Sequence, residues 1–388
     1  DTLDGGAGTD TVYGNKGSDL LIARGREAEF DTLHGHGSSS SPFIGADDGA
    51  TDTLGVVGSA TLNRFDSTQN SIERVQSVKS VAGRIFRYET SDAQVTIQGN
   101  NGDNYFDFSR TRMENVDSIN GGAGADTIIG SVGDDGINGG AGADEIRAGR
   151  GGDVVEGGAG VDTIFTNSGN DTIVVSGTEG EFDAISGGPG YDTLLTTTYA
   201  TRLDSFTGNH IEAIKRSSDR EFVIYGNGND NTLDFSRVTF TNLVGILGED
   251  GADTITGSAG SDQIFGGQGS DSLTGGDGRD RLVGYGGSDN EQDVLTGGGG
   301  ADLFVLGNSS GTFYEGEGYA TITDLVAALG DRIQISGSLS DYRLDQSQSL
   351  GGNSLRRDTA IYQGSDLIGV VEDRPEIVLS TDYFTPVA

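Results

Sequence analysis

The 388-residue chain has no cysteine and no tryptophan, one methionine, four prolines and three histidines. Without cysteine there is neither a disulfide framework nor a thiolate metal or redox site. Basic residues are scarce as well: 24 Lys and Arg stand against 60 Asp and Glu, for a formal net charge of −36. Such a surface repels phosphate, which excludes nucleic acid as a partner, and it repels an anionic membrane face equally. No apolar stretch approaches the roughly 18 residues of a membrane span, so no transmembrane segment is expected, and the first residues do not read as a basic, apolar signal. Hydrophobic residues make up 33% and aromatics 7%; low hydrophobicity with high charge predicts a chain that stays unfolded until something neutralises it.

Glycine is present in excess, 67 residues, and it is periodic. From Ile119 a branched aliphatic residue recurs at every ninth position: Ile119, Ile128, Ile137, Ile146, Val155, Ile164, Ile173. An Asp precedes each by two, at Asp117, Asp126, Asp135, Asp144, Asp153, Asp162 and Asp171. A flexible glycine-rich linker would not keep Asp and Ile in register over seven repeats. A period of nine fits neither a helix nor a simple strand. It describes a tight glycine turn followed by a very short strand whose aliphatic side chain points inward. Two nonapeptides complete a coil of eighteen residues. GGAG recurs at Gly121, Gly139 and Gly157, while the loops between read GSVG, AGRG and TNSG. Alternate loops therefore stack on one edge, and the GGAG edge is expected to hold metal more firmly.

Stacking puts Asp126 over Asp144 and Asp144 over Asp162, about 4.8 Å apart. Carboxylates that close repel unless a cation lies between them. Carboxylate and carbonyl oxygens suit Ca²⁺ rather than a softer metal, so multiple Ca²⁺ ions are the expected cofactor. The same register gives Asp253, Asp262, Asp271 and Asp280, then Asp293 and Asp302 after a short insertion, and at the start Asp10, Asp19 and Asp31. Asp183 and Asp192 complete the candidate ligands, Asp171 to Asp183 being spaced like Asp19 to Asp31.

Two stretches between the arrays are related: GNNGDNYFDFSR from Gly99 and GNGNDNTLDFSR from Gly226, with the loops after them at the same offset. The chain thus holds two diverged copies of one unit. In both stretches Asn104 or Asn231 replaces the loop Asp, so the strand survives and a ligand charge is lost. They are read as further coils with weaker or absent metal; separate globular inserts are the alternative. After Ala301 the nonapeptide stops, and short strands separated by turns are placed to cover the last coil. Four segments result: 1–118, a first solenoid unit of regular and irregular coils; 119–245, a central roll and the second irregular stretch; 246–300, a further roll; and 301–388, a β-rich cap. Asp1-Thr2-Leu3 reads as the tail of a nonapeptide, which predicts repeats upstream.

These residues resemble RTX, or haemolysin-type, calcium-binding repeat proteins. The resemblance implies an all-β fold, a right-handed parallel β-roll or β-helix solenoid holding Ca²⁺ between loops one coil apart. Carried onto this sequence, one site takes the carbonyls of Gly121 and Ala123 with Asp126, and from the facing loop the carbonyls of Gly140 and Gly142 with Asp144. Thr166-Asn167-Ser168, Ala148 and Arg150 depart from the pattern and put their sites in doubt. The C-terminal part resembles the capping and type I secretion segment of RTX proteins, notably cyanobacterial surface and sheath proteins. The type I secretion apparatus is thereby an implied partner, and the location is extracellular, secreted or at the cell surface.

Catalytic motifs do not hold. Gly307-Asn308-Ser309-Ser310-Gly311 matches G-x-S-x-G, but no helix pattern follows and no His lies beyond His210. His34, His36 and His210 are too few to hold a transition metal. The G-x-G-x-x-G matches belong to the nonapeptide and lack a strand–helix unit. No enzyme is expected. The sequence points to a secreted calcium-binding structural or adhesive protein of a coat, sheath, filament or matrix, folding on Ca²⁺ outside the cell. Its expected partners are the cell surface or extracellular matrix and further copies of itself in filaments or sheets. Two alternatives stand: the C-terminal calcium-binding and export module of a larger secreted enzyme or toxin, and a calcium-dependent glycan-binding module.

Overall fold

The computed structural model describes residues 95–388 apart from 115, 177–183, 204, 288–289, 315, 348 and 351–355; before residue 95 it describes only eight short strands, from Thr2–Asp4 to Tyr88–Thr90. Asp10, Asp19, Asp31 and Asp183 lie outside the described residues. Among the described residues helix is confined to the single turn Leu339–Asp341, and the protein is a parallel β-solenoid. Its strands fall into two compact units, 1–179 with 183–195 and 209–211, and 180–182 with 196–208 and 212–388.

The period of nine resolves into two sheets with an eighteen-residue repeat in each. In the first unit one sheet stacks Ile97, Ile119, Ile137, Val155 and Ile173 as directly paired residues of successive parallel strands. The other stacks Phe106, Ile128, Ile146, Ile164 and Ile185. These side chains are 0–7% exposed. They fill the narrow space between the sheets, because in a strand of three residues only the middle side chain faces the core. At the aliphatic value of about 25 cal/mol per Å² buried, each isoleucine contributes roughly 1.5–3 kcal/mol, repeated along the stack. The Tyr105–Asp107 strand of the irregular stretch pairs in register with Thr127–Ile129, so the asparagine coil continues the solenoid.

The second unit repeats this arrangement. Ile224, Ile246, Ile264, Leu282, Phe304, Ile333 and Phe384 form one buried column. Phe206, Leu233, Ile255, Leu273, Leu295, Ile322 and Val371 form the other. Parallel stacking therefore continues past Ala301. At Asp366–Val371 the stack turns antiparallel, through Thr359–Gln363 to Tyr342–Asp345. The G-x-S-x-G match is the tight hairpin Gly307–Asn308 to Gly311–Thr312, with the Ser310 N–H bonded to Asn308 Oδ1 at 2.7 Å. It has none of the strand–turn–helix geometry that a nucleophile elbow requires.

Candidate metal centre

The loops on each edge carry a ladder of aspartates joined by hydrogen bonds from backbone to carboxylate. In the first unit the Asp126 N–H donates to Asp144 Oδ1 at 2.8 Å, and the Asp144 N–H donates to Asp162 Oδ1 at 2.8 Å. On the opposite edge Asp135 donates to Asp153, Asp153 to Asp171 and Asp171 to Asp192, at 2.8–2.9 Å. The second unit holds Asp253–Asp271–Asp293 and Asp262–Asp280–Asp302 in the same way. All these aspartates are 7% exposed or less. Asp117, the first of the sequence ladder, is exposed and takes no part.

Each rung hydrogen bond satisfies one carboxylate oxygen. The other, Oδ2, has no hydrogen-bond partner in Asp126, Asp144, Asp153, Asp171, Asp253, Asp271, Asp280 and Asp302. A buried polar atom left this way costs about 1–3 kcal/mol, and more when charged. Four of the bare oxygens face carbonyls. A Cβ built on Gly121 would meet both Asp126 Oδ2 and the Gly139 carbonyl oxygen; one on Gly139 would meet Asp144 Oδ2 and the Gly157 oxygen. The same pair converges at Gly248 and Gly275. Glycine five residues before the aspartate thus keeps an oxygen-lined cradle open.

Backbone direction corrects the expected grouping of ligands. The Gly121 oxygen faces back toward Gly99, while the Gly140 and Gly142 oxygens face forward to Gly158 and Gly160. Between loops 121–126 and 139–144 the carbonyls that point inward are Gly122 and Gly124, aimed at Gly140 and Gly142, with Gly139 from the other side. Alternating peptide orientation along each loop produces this, and residue spacing alone does not reveal its polarity. Ala123 pairs with Ala141 in register. Gly121, Gly140 and Gly142 thus turn their oxygens toward the adjacent interloop spaces, and the set Gly121, Ala123, Gly140 and Gly142 does not enclose one site.

Burial is the largest cause of raised carboxyl pKa values along the ladder; a backbone N–H opposes it at each, and at most of them neighbouring carboxylates reinforce it. Asp271 is pushed up to about 8, Asp153 and Asp280 to about 7, and Asp126, Asp135, Asp253 and Asp293 to about 6. Asp144, Asp162, Asp262 and Asp302 are raised as well. Among the described residues no three His, Asp or Glu side chains gather as a metal cluster. A cation here would draw on backbone carbonyls for most of its shell, which suits a hard ion with flexible oxygen coordination.

Some rungs are closed by the protein itself. Asn100 and Asn227 donate N–H groups to Asn104 Oδ1 and Asn231 Oδ1 at 3.0 and 2.8 Å. These neutral side chains start one ladder of each unit, and their own N–H groups reach Asp126 and Asp253. Ser131 and Ser258 close Asp135 and Asp262 through backbone N–H and hydroxyl. In the TNSG loop Thr166 stands where glycine opens the cradle elsewhere, and its hydroxyl takes the Gly187 carbonyl at 2.9 Å. Ala148 carries a Cβ at the equivalent place before Asp153. The GGAG edge therefore keeps three glycine cradles, while its opposite has two blocked by side chains. The ladder also runs beyond the nonapeptide: the Asp302 N–H donates to Asp331 Oδ1 at 3.0 Å, and Asp331 Oδ2 accepts the Val326 N–H at 2.7 Å. Asp331 was missing from the candidates, although Asp331-Arg332-Ile333 keeps the Asp-x-Ile signal.

Residues 1–23, 114–146, 138–173, 246–273, 256–291 and 265–303 match the family described as RTX calcium-binding nonapeptide repeat (4 copies). These are RTX calcium-binding repeats. The matches cover less than half of the chain, and those over 114–173 and 246–303 fall on segments that carry the buried aspartate ladders. No curated protein matches the chain. The RTX rolls bind calcium, and the bare Oδ2 atoms and glycine cradles fit that ion. Among the described residues no helix is long and apolar enough to cross a membrane.

Proposed function

We propose that this RTX protein is a secreted structural or adhesive protein whose fold is held by calcium along its length. The observation that carries this reading is the repetition of bare buried carboxylate oxygens on both edges of both units. A local regulatory site would need one or two such positions. In the loop pair 121–126 and 139–144 the holding groups are Asp126 Oδ2, the carbonyls of Gly122, Gly124 and Gly139, and the Asp144 carboxylate. A bound Ca²⁺ supplies positive charge that cross-links successive coils. Secretion by a type I system belongs to this reading; the RTX repeats support it, and oxygen sites of extracellular modules bind calcium at about 10⁻⁴–10⁻³ M, which suits the outside of a cell.

Calcium also reduces repulsion between chains that carry −36 each, which favours self-association into filaments or sheets at a cell surface or in a matrix. Light scattering and negative-stain imaging of the full protein, with and without millimolar Ca²⁺, test this. Ordered assemblies in calcium support the structural role. A monodisperse monomer at high concentration in calcium would reject it in favour of an export and folding module serving a larger secreted protein.

A further inference from the structure

Asp293 ends the ladder that runs Asn231–Asp253–Asp271–Asp293, and its second oxygen has a partner. Its Oδ1 accepts the Asp271 N–H at 2.8 Å, as in an interior rung. Its Oδ2, the atom left bare in Asp253 and Asp271, accepts the Tyr314 hydroxyl at 2.5 Å. Tyr314 is 0% exposed and stands edge-on to Tyr285, centroids 5.3 Å apart; Tyr285 in turn stacks on Phe313 at 5.0 Å. The backbone of Tyr314 is left-handed, φ 56, a conformation that a bulky residue keeps only where its surroundings hold it. Three aromatic rings and a strained turn therefore fix one hydroxyl on one carboxylate oxygen.

We propose that the Tyr314 hydroxyl replaces a calcium ion at Asp293, so that this rung holds no metal and the metal sites of its ladder end at Asp271. The inference rests on the assignment of Ca²⁺ to the open rungs. A short charge-assisted hydrogen bond from a neutral donor satisfies the carboxylate oxygen, and a chelator cannot remove it. Interior rungs, closed by an ion, lack this independence.

The test is the number of calcium ions bound per chain, measured by equilibrium dialysis and elemental analysis at millimolar Ca²⁺, for the full protein and two variants, together with a crystal structure of the unaltered protein grown at millimolar Ca²⁺. Asp271→Asn is expected to lose one ion. Tyr314→Phe should gain one ion, the bare Asp293 Oδ2 now taking a cation. In the crystal structure Asp293 Oδ2 should keep the Tyr314 hydroxyl and carry no ion. An ion on Asp293 Oδ2 in that structure, or an unchanged count in folded Tyr314→Phe, would overturn the proposal. If Tyr314→Phe does not fold, the crystal structure decides alone. An unaltered protein that binds no calcium would instead reject the calcium assignment itself.

Discussion

Removing calcium at neutral pH should unfold the rolls, and acid should restore them without any metal. The ladder carboxyls have folded-state pKa values above 3.8, so between about pH 4 and 8 the folded chain binds more protons than the unfolded chain. Metal-free stability is then greatest at low pH and is lost as pH rises through the folded pKa values. Asp271 and Asp280, at about 8 and about 7, lie roughly four and three units above the unfolded value. At about 1.4 kcal/mol per unit, reduced by solvent screening, they oppose folding of the second unit by roughly 5–10 kcal/mol. That matches the net stability of a typical domain, about 5–15 kcal/mol. A site with a Kd of about 10⁻⁴ M returns about 2.7 kcal/mol at 10 mM free ion. The open rungs Asp253, Asp271, Asp280 and Asp302 together return on the order of 10 kcal/mol, enough to offset the charge. Far-ultraviolet circular dichroism at micromolar protein gives the readout. In EDTA at pH 7.5 the spectrum should be disordered, in 10 mM Ca²⁺ at pH 7.5 β-rich, and in EDTA at pH 4.5 β-rich again. A full β signal in EDTA at pH 7.5 would refute the dependence on calcium. Disorder at pH 4.5 would refute the attribution to buried charge.

Other expectations concern single positions. Asp144→Ala removes the acceptor of the Asp126 N–H on the intact GGAG edge; it should cost about 1–3 kcal/mol and lower calcium binding more than Asp171→Ala, whose cradle Thr166 already fills, as isothermal titration would show. Gly139→Ala drives a Cβ into Asp144 Oδ2 and the Gly157 carbonyl and should destabilise the calcium form by about 1–3 kcal/mol. Gly133→Ala, with only Ser131 Oγ at 3.8 Å, should leave the urea midpoint unchanged. Thr166→Gly frees the Gly187 carbonyl and should lower the calcium concentration at which the first unit folds; an unchanged or higher midpoint would count against the cradle.

The parts of the fold that depend on local repetition were legible in the sequence. Ile128 and Ile146 announce their inward position, and Asp126 and Asp144 their stacking, because each nonapeptide repeats the same turn and strand. Asn104 and Asn231, 127 residues apart, advertise a duplicated coil, and their hydrogen bonds match closely. Carbonyl direction was hidden, since Gly121 and Gly122 are the same residue with opposite roles. The terminators were hidden too. Tyr314 reaches Asp293 across 21 residues, and Asp331 joins Asp302 across 29, so both depend on how intervening chain is looped out.

Rung spacing between aspartates is 18 residues in six rungs, yet 21 from Asp171 to Asp192, 22 from Asp271 to Asp293 and from Asp280 to Asp302, and 29 from Asp302 to Asp331. The hydrogen bond across these gaps stays within 2.8–3.0 Å. A coil is therefore counted by its aspartate and not by its length. Extra residues between two rungs leave the next Asp at its hydrogen-bonded place on the ladder. Such a scaffold can lengthen, shorten and decorate its turns through mutation without losing alignment, and a foreign peptide grafted into the longer spacing before Asp293 should leave the coils on either side in place.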